Sequence, residues 1–203
     1  MGSYAHFARV EKAHANDPLG YEAKFKRAKC YYYIGEFDFA KSMLDILKAG
    51  TSKLISNDAF ELSALINDNT ALDTTMDAMT IFSRADLLLF QKKDSLAMLT
   101  FDSIPVLFPG HSLEDEIIFK KAQIARNKKQ YQKALELFKQ VEQRFSYDIY
   151  ADDACFAMAE IYDYIVSDKE TAMEYYRKIM TNHQDSIYIS VARKRYRELK
   201  DGV

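Results

Sequence analysis

Along most of this chain the apolar residues recur at intervals of three and four, the spacing that places side chains on one face of an α-helix. Four times this stripe contains a Phe and an Ala three residues apart, then a second Ala twelve or thirteen residues later and a bulky side chain four beyond it. The repetition predicts four helical hairpins in tandem. The units are Phe25, Ala28, Ala40 and Leu44; Phe82, Ala85, Ala97 and Phe101; Phe119, Ala122, Ala134 and Phe138; and Phe156, Ala159, Ala172 and Tyr176.

Each unit has a short polar segment between its two apolar stripes. In the third unit this segment is Asn127-Lys128-Lys129-Gln130, which we expect to form the turn of the hairpin. The paired alanines indicate where the two antiparallel helices cross closely, because a methyl group lets the helix axes approach while larger neighbours fill the grooves. Ala28 and Ala40 are therefore expected to face each other.

The spacing between units divides the chain. The interval between units is 37 residues from Phe82 to Phe119 and again from Phe119 to Phe156. It is 57 residues from Phe25 to Phe82, which leaves 20 residues for an additional helix. We predict a single all-α solenoid over residues 1 to 203. It comprises a partial repeat at 1 to 18, repeats at 19 to 52, 74 to 110, 111 to 147 and 148 to 184, an inserted helix at 53 to 73 and a capping helix at 185 to 203.

Composition and charge exclude several classes of protein. A formal net charge of −2 argues against a general binder of nucleic acid or of anionic membrane surfaces. No run of eighteen apolar residues is present, so no transmembrane segment is predicted. No apolar secretory core follows Met1. Because the pattern begins with half a repeat, we expect the chain to be part of a longer protein.

The residues that carry chemistry form no catalytic pattern. The four His are scattered and the six Gly are isolated, so we expect no catalytic residue, no cofactor and no metal. His111 and His183 are expected to be exposed loop residues. Cys30 and Cys155 lie among apolar residues, and both are expected to be buried thiols.

The pattern resembles tetratricopeptide repeats, and the match spans essentially the whole chain. The chain departs from that family in having no Trp, in placing Ala where the family has Gly in the first helix, and in periods of 37 and 38 residues. The resemblance implies a right-handed superhelix of helical hairpins and a role in binding other proteins. The residues that carry it are Ala28, Tyr31, Gly35-Glu36-Phe37, Ala40 and Leu44, and Ala85, Leu88, Ala97, Phe101 and Pro109.

The junctions between repeats carry a second resemblance. Segments 108 to 112, 145 to 154 and 183 to 188 are similar to the Tyr-Pro-x-Ser-x-Tyr junctions of bacterial envelope repeat proteins, such as outer-membrane assembly lipoproteins and periplasmic coordinators of cell division. This resemblance implies a place in the periplasm or at the outer membrane. Residence in the cytoplasm stays open, because two unpaired Cys are compatible with it.

The tetratricopeptide resemblance implies that the first helix of each hairpin lines a concave groove. We expect the repeated Phe to pack mainly between hairpins, so the neighbouring aromatic and apolar residues are the stronger candidates for contact with a partner. The predicted groove residues are Phe25, Lys29, Tyr32, Tyr33, Phe82, Asp86, Leu89, Phe90, Arg126, Glu160 and Tyr164.

The last helix pattern also has a basic stretch, which we expect to be a solvated face that caps the array. An anionic partner is the alternative for this stretch, and self-association through the repeat ends is possible too. The stretch comprises Arg193, Lys194, Arg195, Arg197 and Lys200.

The sequence thus favours a non-enzymatic scaffold that binds a peptide or protein segment in its groove. Two alternatives stay open. The chain could be a structural spacer in a longer repeat protein whose site lies elsewhere, or it could be an enzyme or small-molecule binder, which a deep pocket with converging polar groups would indicate.

Overall fold

The computed structural model describes residues 2 to 15, 17 to 50, 52 to 71, 73 and 75 to 202. Over these residues the protein is all-α, as the apolar pattern predicts, and no strand occurs in this part of the chain. The helices are α1 (Gly2–Ala13), α2 (Pro18–Ile34), α3 (Phe37–Gly50), α4 (Lys53–Thr70), α5 (Asp77–Phe90), α6 (Asp94–Leu107), α7 (Glu114–Asn127), α8 (Tyr131–Arg144), α9 (Ala151–Ile161), α10 (Lys169–Asn182) and α11 (Ile189–Asp201), with a π-helical turn at Tyr162–Val166 after α9.

The helices form two compact units, Met1–Leu113 and Glu114–Val203. In the first unit α1 packs on α2, α2 on α3, α3 on α4, and α5 on α6. Helix α4 lies where the spacing predicts an inserted helix, yet α2 and α5 of the two neighbouring hairpins still contact each other directly. In the second unit α7 packs on α8, α8 on α9, α9 on α10 and α10 on α11.

The alanines of the repeat are buried in the hairpins, whose two helices pack on each other. All eight are 0% exposed, and the bulky residue that follows the second Ala of each unit is also fully buried. In three hairpins this bulky ring contacts the Phe that begins the unit: the centroids are 5.2 Å apart for Phe82 and Phe101, 5.7 Å for Phe119 and Phe138, and 6.3 Å for Phe156 and Tyr176. A side chain larger than Ala at such a crossing would overpack it, at a typical cost of about 1–3 kcal/mol.

The turn between the two helices has the same backbone conformation in the first three hairpins. The helix ends at a residue in the left-handed region, which is Gly35 (φ 85°), Lys92 (φ 61°) and Lys129 (φ 58°) in turn. In the third hairpin the Gln130 N–H donates to the Ala125 carbonyl at 2.9 Å, and the other two hairpins repeat this bond. These bonds satisfy carbonyls at the helix end that have no partner within the helix.

The fourth hairpin has one residue more than the others. Ala159 and Ala172 are 13 residues apart, whereas the other Ala pairs are 12 apart. The additional residue is accommodated in the π-helical turn Tyr162–Val166, and Ser167 (φ 61°) takes the left-handed position. A single insertion into an α-helix commonly forms such a turn, because each hydrogen bond then spans one residue more.

The junction tyrosines have a packing role. Tyr150 stacks on Phe119 of the preceding hairpin with centroids 4.3 Å apart, and Tyr188 stacks on Phe156 at 4.2 Å. The Tyr188 hydroxyl also donates to Asp153 Oδ1 at 2.6 Å. The residues that lengthen the period to 37 thus place an aromatic ring over the previous repeat.

Two predictions about the polar and sulfur-containing residues are corrected. His111 and His183 are not exposed: His111 Nε2 lies 3.5 Å from Asp73 Oδ2, and His183 Nε2 lies 4.0 Å from Cys155 Sγ. Cys155 is buried as expected, and burial raises the pKa of its thiol to about 12, whereas Cys30 is only half-buried.

The left-handed position of Lys129 generates a stability prediction. Replacing Lys129 with Gly should raise the free energy of unfolding by about 0.5–1 kcal/mol, because Gly adopts a positive φ without the clash of a Cβ atom. Lys128 does not have a positive φ, and Lys128→Gly is the matched control, expected to lower that free energy by a similar amount. Denaturant unfolding followed by circular dichroism measures both, and a Lys129→Gly protein less stable than the parent would contradict the explanation.

Candidate functional site

Helices α2 and α5 of the first unit bring aromatic residues together, of which Phe90 is exposed and Tyr33 is partly buried. The rings of Tyr33 on α2 and Phe90 at the end of α5 have centroids 6.2 Å apart. Phe90 is 67% exposed, and Leu89 beside it is half-buried. Because the two rings belong to different hairpins, their proximity depends on the packing of α2 against α5.

The ammonium group of Lys29 lies among three rings of this surface. Its Nζ atom is 5.9 Å from the ring centroid of Phe25, 5.9 Å from that of Tyr33 and 5.8 Å from that of Phe90. A cation attracts each aromatic face by roughly 0.5–1 kcal/mol at an exposed site. Lys29 therefore helps to hold the rings in one arrangement, and we call Phe25, Lys29, Tyr33 and Phe90 the aromatic surface.

Acidic groups border the aromatic surface. Burial raises the pKa of Asp58 on α4, and the positive charge of Lys29 acts in the opposite direction. Burial, with the negative charge of Asp86, also raises the pKa of Tyr33. The surface is apolar at its centre, and carboxyl groups lie beside it.

Two of the predicted groove residues are buried, so the prediction that they lie on the surface is wrong. Tyr32 is 1% exposed and Phe82 is 0% exposed, so a partner cannot reach either ring. Tyr32 follows Ala28 by four residues and therefore lies on the same buried stripe of α2. Its hydroxyl donates to Asp86 Oδ2 at 3.1 Å, so the predicted groove residue Asp86 also serves the contact between α2 and α5.

The predicted groove residues of the second unit form a polar cluster. Arg126 Nη2 on α7 lies 2.6 Å from Glu160 Oε2 on α9, and both side chains are partly exposed. Tyr164, in the π-helical turn, is 60% exposed, and the guanidinium of Arg195 lies 5.2 Å from its ring centroid. A shallow cleft beside this cluster is also lined by Lys129.

A buried ion pair fixes the π-helical turn to the last helix, and the sequence pattern did not reveal it. Arg195 Nε lies 2.6 Å from Asp163 Oδ2 and its Nη2 lies 2.9 Å from Oδ1, which is a bidentate pair. The Asp163 side chain is 2% exposed and also accepts a hydrogen bond from the Tyr176 hydroxyl at 3.1 Å. Hydrogen bonds to Asp163 and Glu198 raise the pKa of Arg195.

This ion pair corrects the prediction for the basic stretch of the last helix. Arg195 is directed towards the π-helical turn and is only partly exposed, whereas Arg193, Lys194, Arg197 and Lys200 are exposed. One sequence feature could have indicated this pair. The two Ala of the fourth unit are 13 residues apart, whereas those of the other units are 12 apart. An insertion at that point predicts a distorted end of the first helix.

Within the described part of the chain, no group of three His, Cys, Asp or Glu side chains is placed to hold a metal ion. No helix in that part has the length and apolar character needed to cross a membrane. Comparison of the chain with models of protein families and with curated proteins found no match.

The Asp163–Arg195 pair generates a second stability prediction. Arg195→Met should lower the free energy of unfolding by about 2–4 kcal/mol, because it leaves the Asp163 carboxylate buried without its partner. Arg197→Met is the matched control on the exposed side of the same helix, and its effect should stay within about 0.5 kcal/mol.

A double variant separates the charge from the packing. Asp163→Leu combined with Arg195→Met should recover part of the loss, because no unpaired charge remains buried. Thermal and denaturant unfolding of the four proteins measures these differences. Equal effects of Arg195→Met and Arg197→Met would show that the pair contributes no stability.

Proposed function

We propose that this protein is a non-enzymatic interaction scaffold that binds a segment of another protein on its aromatic surface. The observation that carries the proposal is the exposed ring of Phe90, which contacts Tyr33 from another hairpin and lies over Lys29. Leaving a Phe ring two-thirds exposed adds little to folding, because most of its apolar area stays in water. Exposed aromatic residues of this kind are typical anchors of protein interfaces.

The arrangement of the rings favours binding of a protein segment. The cation–π contacts of Lys29 and the packing of α2 on α5 orient the rings before a partner arrives. A partner then loses less free energy in ordering the surface that it binds. Apolar side chains of the segment would pack against Phe90 and Tyr33, whether the segment is extended or helical.

The same proposal takes the hairpins to be tetratricopeptide-type repeats that wind into a right-handed superhelix. Support comes from the fully buried Ala pairs, the shared turn geometry of the first three hairpins and the ring pairs within the hairpins. In this interpretation the aromatic surface belongs to the first helices, which would line the concave side.

The proposal also places the protein in the bacterial cell envelope, in the periplasm or at the outer membrane. It rests on the junction residues, where Tyr150 and Tyr188 stack on the preceding repeats. Immunodetection after fractionation of the source cells should find the natural full-length protein in the periplasmic or outer-membrane fraction. Its recovery only with the cytoplasm would reject this location.

Peptide selection followed by binding measurements tests the aromatic surface. A random peptide library selected on the 203-residue chain should yield peptides rich in apolar residues, with binding followed by fluorescence anisotropy. Tyr33→Ala with Phe90→Ala should weaken binding about tenfold or more, because the anchoring rings are removed. Phe90→Ala alone should retain the fold and show part of the loss.

The matched control for this experiment is Phe39→Ala. Phe39 is 61% exposed but lies on α3, outside the aromatic surface, so its loss should leave peptide affinity unchanged. If selection enriches no peptide, or if the variants at Tyr33 and Phe90 bind as tightly as the parent, the proposed function is wrong.

A further inference from the structure

Helix α11 has a surplus of positive charge on its exposed side. It contains five basic and two acidic residues, whereas the whole chain has a formal net charge of −2. Arg195 is paired with Asp163, so the surplus lies mainly with the other basic residues. Three of these residues are spaced by four and then three positions, which places them on one face of the helix. We call Arg193, Arg197 and Lys200 the cationic stripe.

The cationic stripe has no carboxylate partner within the described part of the chain. All three of its residues are exposed, and no salt bridge or side-chain hydrogen bond in that part involves them. Lys194 Nζ, beside the stripe, lies 3.8 Å from Glu198 Oε1, and Glu198 Oε2 accepts a hydrogen bond from Arg195 at 3.0 Å. The carboxylate of Glu198 therefore neutralises basic residues outside the stripe.

The helix dipole explains only part of this pattern. A cation in the last turn is favoured by the partial negative charge of the helix C-terminus, which accounts for Lys200. Arg193 lies in the second turn, where this effect has faded. Like charges four residues apart repel each other, so placing Arg197 beside Arg193 destabilises the helix. In α8 basic and acidic residues alternate instead, as in Lys133 and Glu136.

The repeat shows that the fold does not require cations at the two arginine positions. When α11 is aligned with α9 on the first Ala of the repeat, Arg193 corresponds to Glu160 and Arg197 to Tyr164. In α7 both positions carry amides. Acidic, aromatic and amide side chains are thus all compatible with the hairpin, and the two arginines serve something other than its packing.

We propose that the cationic stripe binds an acidic segment of another protein. The guanidinium groups of Arg193 and Arg197 can each donate two parallel hydrogen bonds to a carboxylate. Ser190 lines the same shallow cleft as the two arginines, and its hydroxyl can donate one more. Bound carboxylates would also offset the repulsion between the cations of the stripe.

The charges around the stripe favour a narrow acidic segment over a broad anionic surface. The stripe is only about 10 Å long. Two carboxylates of α11, those of Glu198 and Asp201, line the cleft beside it. Outside α11 the second unit has 14 acidic and 11 basic residues. A membrane surface or a nucleic-acid duplex would extend beyond the stripe and meet this negative charge, whereas a short segment would not.

This inference does not depend on the proposed function, because the cationic stripe lies in the second unit and the aromatic surface in the first. A failure of apolar peptides to bind would leave the stripe in place, and a failure of acidic peptides would leave the aromatic surface in place. The two proposals can therefore be rejected separately.

Fluorescence anisotropy with a labelled hexaglutamate peptide tests the charge selectivity. The 203-residue chain should bind this peptide and should not bind hexaglutamine. Arg193→Gln with Arg197→Gln should weaken binding about tenfold or more, because both guanidinium groups are removed. The control is Lys133→Gln with Lys139→Gln at two exposed positions of α8, which changes the net charge equally and should leave the affinity unchanged. Equal losses in the two double variants, or no binding to the parent chain, would overturn the proposal.

Competition with other polyanions distinguishes a protein segment from other sources of negative charge. Vesicles that contain phosphatidylglycerol and a short DNA duplex should each displace hexaglutamate poorly. If either binds the parent chain more tightly than hexaglutamate does, and if Arg193→Gln with Arg197→Gln abolishes that binding, the stripe serves phosphate groups and the acidic segment is wrong.

Zero-length cross-linking locates the bound peptide. A water-soluble carbodiimide joins a carboxylate to a nearby lysine amine, and Lys194 and Lys200 lie on the same helix as the two arginines. Mass spectrometry should find hexaglutamate mainly on these two lysines, and circular dichroism confirms that each variant is folded. Equal labelling of Lys133 and Lys139 would show non-specific attraction and would reject the site.

Discussion

The close crossing of two helices at a pair of alanines is the contact on which the rest of this fold depends. At each crossing both Ala side chains are fully buried, and the large residue four positions later is fully buried beside them. Because these residues are buried, the face that points into each hairpin is fixed, and so is the face that is left for neighbouring helices or for solvent. Because the crossing recurs in one register, equivalent positions of different hairpins can be compared directly.

That comparison shows where the chain departs from its own pattern. The fourth hairpin accommodates one additional residue as a π-helical turn, and the bidentate pair of Asp163 and Arg195 joins that turn to α11. Helix α6 carries leucines and a valine where α8 carries charged residues and amides. Neither departure is required for the two helices of a hairpin to pack. The residues at both places therefore serve something other than the folding of a single hairpin.

Local periodicity was enough to predict the helices, the hairpins and the buried alanines. These features depend on residues close in sequence, and a helix places residues three and four apart on one face whatever the rest of the chain contains. The aromatic surface was predicted in part, since Phe90 and Tyr33 extend beyond the core stripe. Tyr32 was assigned wrongly even though its position four residues after Ala28 places it on the buried stripe of α2. Arg195 was assigned to the outer face because its partner lies 32 residues earlier, outside the pattern of its own helix.

The junction tyrosines determine how far one repeat is independent of the next. Tyr150 lies just before α9 and Tyr188 just before α11, yet each stacks on the Phe of the preceding hairpin. This stacking stabilises the interface between two adjacent repeats and not either repeat alone, as in a one-dimensional array of coupled units. Adjacent repeats of the second unit should therefore unfold together, and a truncation after α8 that omits Tyr150 would expose the Phe119 ring.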